Sequence, residues 1–223
     1  MRVRKKKNGA ARIAACAEYL VSEPIKNVSE YFGNDKPLWV EVGCGKGNFA
    51  CGMAATHPEV NFLAIEKVAD VTCVALEKAK ASKDTRECDN LRFYIGDANS
   101  LCELLPEHSV DMLFLNFSDP WPKKAHAKRR LTYRTFLEIY RKVLKQNGVL
   151  KLKTDNVGLF DFSLEEFEVA GLETLMVTRD LHNSEYAEGN IMTEYEKNFS
   201  DKGVSINSAW VRFVEAEKSE VKE

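Results

Sequence analysis

The sequence predicts an α/β fold in which a mostly parallel sheet, with one antiparallel edge strand, carries helices on both faces. Three observations support this. Short apolar, β-branched segments alternate with segments of helical character along the 223 residues. The first apolar segment runs directly into a glycine-rich loop, as at the opening of a βαβ nucleotide-binding unit. Acidic residues follow the ends of successive strands, where open α/β sheets bind their ligands.

The predicted strands are short and mostly apolar, as expected for strands that are buried on both faces. They cover residues 38–42, 60–65, 91–95, 110–117, 149–154, 173–177 and 209–214. The last strand alternates in polarity and follows a hairpin-like return, which indicates the antiparallel edge strand. Helices are predicted over residues 10–21, 48–56, 67–81, 99–105, 131–145 and 160–170, with a stop signal at 146–148.

The pattern indicates one domain with a charged segment at each end. We expect a basic N-terminal arm with a short helix over residues 1–36, the α/β domain over 37–215 and an acidic tail over 216–223. Formal net charge is −2, so local basic patches have to meet any polyanionic partner.

Cysteine usage and hydropathy exclude several classes of protein. The six cysteines form no Cys-x-x-Cys pair and have no histidine cluster beside them, so we expect no metal site. Reduced cysteines in apolar surroundings favour the cytoplasm. Because no apolar run approaches the roughly 18 residues that span a bilayer, no membrane association is expected.

The glycine-rich loop carries Gly43, Gly45 and Gly47 in a Gly-x-Gly-x-Gly spacing. Glycines let the backbone approach a ligand closely, and the helix that follows presents free N–H groups. Glu41 lies two residues before the loop, and Glu66 ends the second strand. An acid about 20 residues beyond such a loop accepts hydrogen bonds from the ribose hydroxyls of an adenosine ligand.

Acids end four successive strands or their loops, because Asp97 and Asp119 join Glu41 and Glu66. Asp97 either holds an adenine amino group or caps the next helix. The four acids suit S-adenosylmethionine, because carboxylates can bind its ribose, adenine, ammonium and sulfonium groups and the cofactor has no phosphates to neutralise. This favours a methyltransferase over a nicotinamide-dependent oxidoreductase, which has a different glycine spacing.

The segment 114–131 places a carboxylate, a large aromatic ring and a cationic cluster at the end of the fourth strand. Pro120 and Pro122 stop regular structure after Asp119, because each lacks an N–H and has a fixed φ. Trp121 between them is either a platform for an unstacked base or a core residue under the turn. The cluster that follows consists of Lys123, Lys124, His126, Lys128, Arg129 and Arg130.

Five segments together resemble the bacterial tRNA (guanine-N7-)-methyltransferase family. They are residues 40–49, 117–132, 153–156 and 193–196, with the Arg-x-Arg start at Arg2 and Arg4. The Ser-Asp-Pro-Trp-Pro sequence at 118–122 is the most distinctive, and the resemblance extends to Gly203. It implies a seven-stranded, Rossmann-like class I methyltransferase sheet.

The resemblance also implies roles for individual residues. The loop glycines, Glu41, Glu66, Asp97 and Asp119 are expected to contact S-adenosylmethionine, with Asp119 closest to the chemistry, where it orients the cofactor or acts on the base. Residues expected to contact the target nucleotide are Lys123, Asp155, Thr193, Glu194, Tyr195 and Glu196. Those expected to contact tRNA are Lys124, His126, Lys128, Arg129 and Arg130.

The chemistry of guanine N7 agrees with these residues. N7 has a free lone pair, so the methyl transfer needs positioning rather than a strong base. We hypothesise that Asp155 and Glu196 accept hydrogen bonds from guanine N1–H and the 2-amino group. A methyltransferase for another RNA position and an inactive RNA-binding relative are the alternatives. A homodimer is compatible with the sequence.

Overall fold

Seven strands form a single sheet in the computed structural model, which describes residues 6–83 and 89–214. Their order across the sheet is β3-β2-β1-β4-β5-β7-β6. The bounds are β1 Leu38–Val42, β2 Asn61–Glu66, β3 Leu91–Ile95, β4 Val110–Asn116, β5 Leu144–Thr154, β6 Leu172–Thr178 and β7 Asn207–Phe213. All seven predicted strands are confirmed, and they form the single seven-stranded sheet that the resemblance implies.

The sheet is parallel except for β7, which pairs antiparallel with both β5 and β6. The antiparallel strand that we predicted is therefore present. It lies one place in from the edge, between β5 and β6, so that β6 is the outer strand. The carboxyl ends of β1, β2, β3, β4 and β5 consequently share one edge of the sheet, which brings together the acids that follow these strands.

Helices cover both faces, as predicted, because alternate side chains of each strand enter two separate apolar clusters. One face packs α5 (Leu101–Leu104), α6 (Arg134–Val143) and α7 (Val157–Val169) on strand residues such as Val40 and Leu113. The other packs α3 (Asn48–Thr56) and α4 (Ala69–Lys83) on Phe62 and Phe114. No helix in the described ranges is long and apolar enough to cross a membrane.

The N-terminal segment differs from the prediction of one helix over 10–21. The structure has α1 (Gly9–Ala14), a 3₁₀ turn (Ala17–Tyr19) and a further helix, α2 (Val28–Phe32). The chain is extended at Leu20, and the backbone N–H of Val21 donates to the carbonyl of Phe93, 2.8 Å away, which holds this segment beside β3. Tyr19, Val21 and Ile25 are buried, so this part of the predicted arm packs on the domain. Residues 1–5 and the predicted acidic tail lie outside the described residues.

Two further boundaries differ from the predicted ones. The predicted helix 131–145 is shorter, because Leu144 already pairs with Val110 as the first residue of β5. The predicted stop at 146–148 is instead an irregularity within β5, where Asn147 has a φ of 67°. Finally, α8 (Glu194–Ser200) forms where only a connecting segment was expected.

Candidate active site

The glycine loop crosses the end of β2 in a conformation that requires glycine. Gly43, Gly45 and Gly47 have φ values of 82°, 55° and 74°. Around Gly43 and Gly45, the space that a Cβ would occupy is open to a distance of 4 Å. A Cβ on Gly47 would lie 2.7 Å from that of Ala75 on α4. The first two glycines therefore leave room for a ligand, and the third allows the close packing of α4 beneath the loop.

Glu66 ties the glycine loop to the start of α4. One carboxylate oxygen accepts a hydrogen bond from the N–H of Gly45 at 3.1 Å, and the other accepts one from the N–H of Val68 at 2.9 Å. The predicted ribose acceptor thus lies at the loop itself, as the last residue of β2, and is half-buried. Contact with the ribose remains a prediction.

Glu41 is buried beneath the loop with half of its hydrogen-bonding capacity unused. Its Oε1 accepts a hydrogen bond from Asn116 Nδ2 at 2.9 Å, whereas its Oε2 has no partner among the described residues. Burial raises the pKa of Glu41 to about 7, although Asn116 and the Lys153 ammonium oppose that rise. A cationic group at this position would supply the missing partner and favour the ionised carboxylate.

Asp97 is exposed just beyond the end of β3. Its carboxylate accepts a hydrogen bond from the N–H of Asn99 at 2.8 Å and caps the 3₁₀ helix Ala98–Ser100. The helix-cap interpretation is therefore confirmed. Contact with an adenine amino group remains a prediction, which the position at the ligand-binding edge allows.

Asp119 projects from a turn whose backbone is strained on both sides. Phe117 has a φ of 52° and Trp121 a φ of 42°, in the left-handed region that bulky residues rarely occupy. Arg130 holds the turn by donating to the carbonyls of Pro120 and Trp121, each at 3.0 Å. Strain of this kind costs on the order of 1–3 kcal/mol per residue and is typical of functional sites.

The basic segment forms a 3₁₀ helix, Lys124–Arg129, directly after the turn. Lys123, Lys124, Lys128 and Arg129 are exposed. The rings of Trp121 and His126 meet edge-on at 5.7 Å, and the Arg129 guanidinium lies 4.9 Å from the Trp121 ring. The half-buried Trp121 is thus a surface ring in contact with His126 and Arg129. Arg130, unlike its exposed neighbours, is hydrogen-bonded to the turn.

The α8 helix bridges the glycine loop and the ends of β4 and β5. Glu194 forms an ion pair with Lys46 of the glycine loop at 3.0 Å. Tyr195 stacks on Phe199 with 4.3 Å between ring centroids and lies 5.1 Å from the Phe117 ring. Its hydroxyl is 3.5 Å from Asp155 Oδ2. The structure therefore brings together the predicted residues Glu194, Tyr195 and Asp155 near the strained turn.

Glu196 does not face the cleft, and this corrects the prediction that it contacts guanine. Its carboxylate is fully buried and accepts hydrogen bonds from Lys153 at 2.7 Å, His182 at 2.9 Å and Asn190 at 2.7 Å. Thr193 and Glu196 also form a reciprocal capping box at the start of α8. Although burial opposes its ionisation, the Lys153 ammonium and the other donors hold the pKa of Glu196 below its usual value. Thr193 and Glu196 therefore anchor the segment that carries Glu194 and Tyr195.

Sequence reasoning missed three residues that shape this site, namely Asn116, Lys153 and Lys46. Asn116 and Lys153 are polar residues near the ends of strands that are otherwise mostly apolar, and this was the available signal. Lys46 stands between two loop glycines, where its partner Glu194 is 148 residues away along the chain and gives no local sign.

The site fits S-adenosylmethionine. An open glycine loop, an acid at the end of β2 that is tied to that loop, and a buried carboxylate with an unpaired oxygen suit the ribose and the cationic groups of this cofactor. The fold and the site together define a class I, S-adenosylmethionine-dependent methyltransferase.

Comparisons with known proteins identify the family. Residues 35–209 match the family model described as "Putative methyltransferase". A tRNA (guanine-N(7)-)-methyltransferase of Streptococcus thermophilus (strain CNRZ 1066) is 44% identical over 216 residues, which are 96% of this chain and 99% of the relative. One of Enterococcus faecalis (strain ATCC 700802 / V583) is 45% identical over 217 residues, with the same coverage. The chain belongs to the tRNA (guanine-N7-)-methyltransferase family.

A solved structure supports the fold. The 16S rRNA methyltransferase KamB aligns with a TM-score of 0.62 over 85% of this chain and 94% of its own, at 15% sequence identity. The class I methyltransferase fold is therefore shared at low sequence similarity.

Proposed function

We propose that this enzyme transfers a methyl group from S-adenosylmethionine to N7 of a guanosine in the variable loop of tRNA. The observation that carries the proposal is the position of Asp119. Its exposed carboxylate lies between the edge that holds Glu41 and Glu66 and the exposed basic segment Lys124–Arg129. Relatives that match nearly the full chain are named tRNA (guanine-N(7)-)-methyltransferases, which supports the choice of substrate.

The cofactor supplies an electrophilic methyl group on a sulfonium ion. Guanine N7 attacks with its own lone pair, so the protein has to align the two reactants rather than remove a proton. The guanine ring becomes positively charged as its N7 is methylated. The Asp119 carboxylate, in the turn that Arg130 stabilises, favours that charge.

Recognition of guanine is assigned to Tyr195 and Asp155. Tyr195 is 44% exposed, so an unstacked base can reach its ring beside the stack that it forms with Phe199. Asp155 lies beside the Tyr195 hydroxyl and accepts hydrogen bonds from guanine N1–H and the 2-amino group. Adenine lacks this pair of donors. Because Glu196 is buried, Asp155 alone supplies the recognising carboxylate.

The basic segment binds the phosphates beside the target nucleotide. Lys123, Lys124, Lys128 and Arg129 are exposed on one short element that follows the turn carrying Asp119. Each phosphate neutralised adds about 0.7–0.9 to the slope of log affinity against log salt concentration. The same contacts orient the nucleotide toward the cofactor edge.

The test uses purified enzyme, S-adenosylmethionine and a tRNA transcript that carries a variable-loop guanosine. Digestion to nucleosides and mass spectrometry should reveal 7-methylguanosine, which should disappear when that guanosine is replaced by adenosine. Methylation at another base or position would contradict the proposed substrate. If no base is methylated while S-adenosylmethionine still binds, the fold assignment stands and the substrate assignment is wrong.

Two variants test the residue roles in the same assay. Asp119→Asn keeps the size of the side chain and removes its charge, so we expect kcat to fall roughly 10²–10³-fold. Asp155→Asn should raise KM for tRNA and weaken the preference for guanine over adenine. Asp201→Asn is the matched control, because Asp201 is an exposed acid at the carboxyl end of α8 whose carboxylate pairs with Lys197 in the described structure. The assignments fail if Asp119→Asn and Asp155→Asn behave like Asp201→Asn.

A further inference from the structure

A cavity of about 210 Å³ lies on one face of the sheet, behind the edge that forms the candidate active site. The strand register builds its floor from two rows of three side chains, one from each of β4, β5 and β7. The rows are Phe114, Lys151 and Trp210, and then Asn116, Lys153 and Ser208. Helix α3 forms one wall, and residues 181–191 form another.

Lys151 is a half-buried cation in this floor without an acceptor. Its Nζ lies 3.8 Å from the centroid of the Trp210 ring and 5.9 Å from that of Phe114. Among residues 6–83 and 89–214, no oxygen atom lies within hydrogen-bonding distance of the Lys151 ammonium. Its neighbour Lys153, in contrast, is fully paired. Burial lowers the pKa of Lys151 to about 8, so the ammonium form still predominates at neutral pH.

Two other polar groups of the floor are also unsatisfied. Ser208 Oγ and Asn116 Oδ1 are buried and have no hydrogen-bond partner among the described residues. Ser208 is 1% exposed and Asn116 is 7% exposed. A buried polar group without a partner costs on the order of 1–3 kcal/mol. These two atoms, together with the half-buried Lys151 ammonium, therefore favour a polar molecule in the cavity.

We propose that this cavity is a second ligand site, which adjoins the cofactor edge through Asn116, and that it binds a small aromatic carboxylate. The carboxylate accepts charge-assisted hydrogen bonds from the Lys151 ammonium. The ring packs between aromatic walls that include Trp39 and Trp210. Hydrogen-bonding groups on the ring reach Ser208 and Asn116.

Charge and volume select this class of ligand. Lys153 is neutralised by Glu196, so Lys151 is the unpaired cation of the floor, and Glu188 adds a negative charge to the lining. A single cation suits a monoanion better than a phosphate dianion. The volume corresponds to about seven water molecules at ~30 Å³ each, which is room for one ring and its carboxylate.

The experiment compares three probes of similar shape and different charge: benzoate, benzyl alcohol and benzylammonium. Binding to the wild-type enzyme is measured by ligand-observed NMR at millimolar concentration, with and without saturating S-adenosylmethionine. We expect benzoate to bind most tightly and benzylammonium most weakly, and we expect the cofactor to leave benzoate bound. The proposal is overturned if no probe binds, if charge does not matter, or if the cofactor displaces benzoate.

Variants locate the binding. Lys151→Met replaces the lysine with an apolar side chain of similar length. It should weaken benzoate binding about tenfold and leave benzyl alcohol binding unchanged. The matched control is Lys202→Met, since Lys202 also places its ammonium over a ring, 5.1 Å from the centroid of Phe199, and lies outside the cavity. Equal loss in both variants, or none in Lys151→Met, contradicts the site. The wild-type probe series decides the proposal even if Lys151→Met fails to fold.

Discussion

Lys153 of β5 and Glu196 of α8 form a buried ion pair, with 2.7 Å between Nζ and Oε2. The pair fixes α8 against the sheet and so sets the positions of Glu194 and Tyr195, which follow the Thr193 cap. Its two members lie 43 residues apart along the chain. The ligand-binding edge of the sheet, which the strand ends form, thus depends on a buried ion pair for the position of α8.

Lys153→Met should destabilise the protein by about 3–5 kcal/mol, because it leaves the Glu196 carboxylate buried without its cation. Equilibrium unfolding in urea measures this loss. The double variant Lys153→Met/Glu196→Gln should regain much of it, since no buried charge remains. Lys197→Met breaks the exposed pair with Asp201 and should cost at most about 1 kcal/mol. If Lys153→Met lowered the free energy of unfolding no more than Lys197→Met does, the structural role of the buried pair would be contradicted.

Glu41 should make stability depend on pH. Its folded-state pKa is raised from 4.5 to about 7, so the folded protein holds a proton that the unfolded chain releases between these values. Its contribution to stability is complete below the unfolded pKa and is lost as pH rises through the folded pKa. Relative to Glu41→Gln, the wild type should therefore lose about 3 kcal/mol between about pH 4.5 and pH 8. A pH-independent difference between the two unfolding free energies would refute the raised pKa.

The same carboxylate predicts proton release on cofactor binding. A cation placed at the unpaired Oε2 favours ionised Glu41, so S-adenosylmethionine should displace up to one proton near pH 7. Calorimetry in buffers of different ionisation enthalpy measures that release. Glu41→Gln should bind without it. If the two proteins release the same number of protons, Glu41 does not meet the charge of the cofactor.

The sheet could be predicted because buried parallel strands appear as short, mostly apolar runs, and β1 to β4 do so. In β5, apolar residues alternate with lysines near the carboxyl end. The positions of the acids at the carboxyl ends of these strands followed from the predicted strand ends. Side-chain direction in the connecting segments could not be predicted in the same way. The Thr193–Glu196 spacing matches both a nucleotide contact and a capping box, and only packing against Lys153 turns Glu196 inward. Likewise, nothing near Val21 in the chain indicates its contact with Phe93.

Arg129 and Arg130 should respond differently to substitution, although they are adjacent and both were predicted to bind RNA. Arg129→Ala removes an exposed cation and should lower the salt slope of tRNA binding by about 0.7–0.9. Arg130→Ala releases the carbonyls of Pro120 and Trp121, so it should reduce kcat and leave that slope nearly unchanged. Filter binding at several salt concentrations and steady-state kinetics separate the effects. An equal loss of slope in both variants would show that Arg130 also contacts phosphate.

Gly47 and Gly203 allow backbone strain to be separated from packing. Their φ values are 74° and 75°, so alanine is strained to a similar degree at both positions. A Cβ at Gly203 meets nothing within 4 Å, whereas a Cβ at Gly47 would lie 2.7 Å from Ala75 Cβ. Gly203→Ala should therefore cost about 1 kcal/mol from strain alone. Gly47→Ala should cost a further 1–3 kcal/mol, roughly the penalty of overpacking, and should weaken cofactor binding because the loop must move. Urea unfolding and equilibrium dialysis with S-adenosylmethionine measure the two effects. Equal destabilisation in both variants would mean that α4 yields to the extra methyl group, and that the third glycine serves the turn rather than the packing of α4.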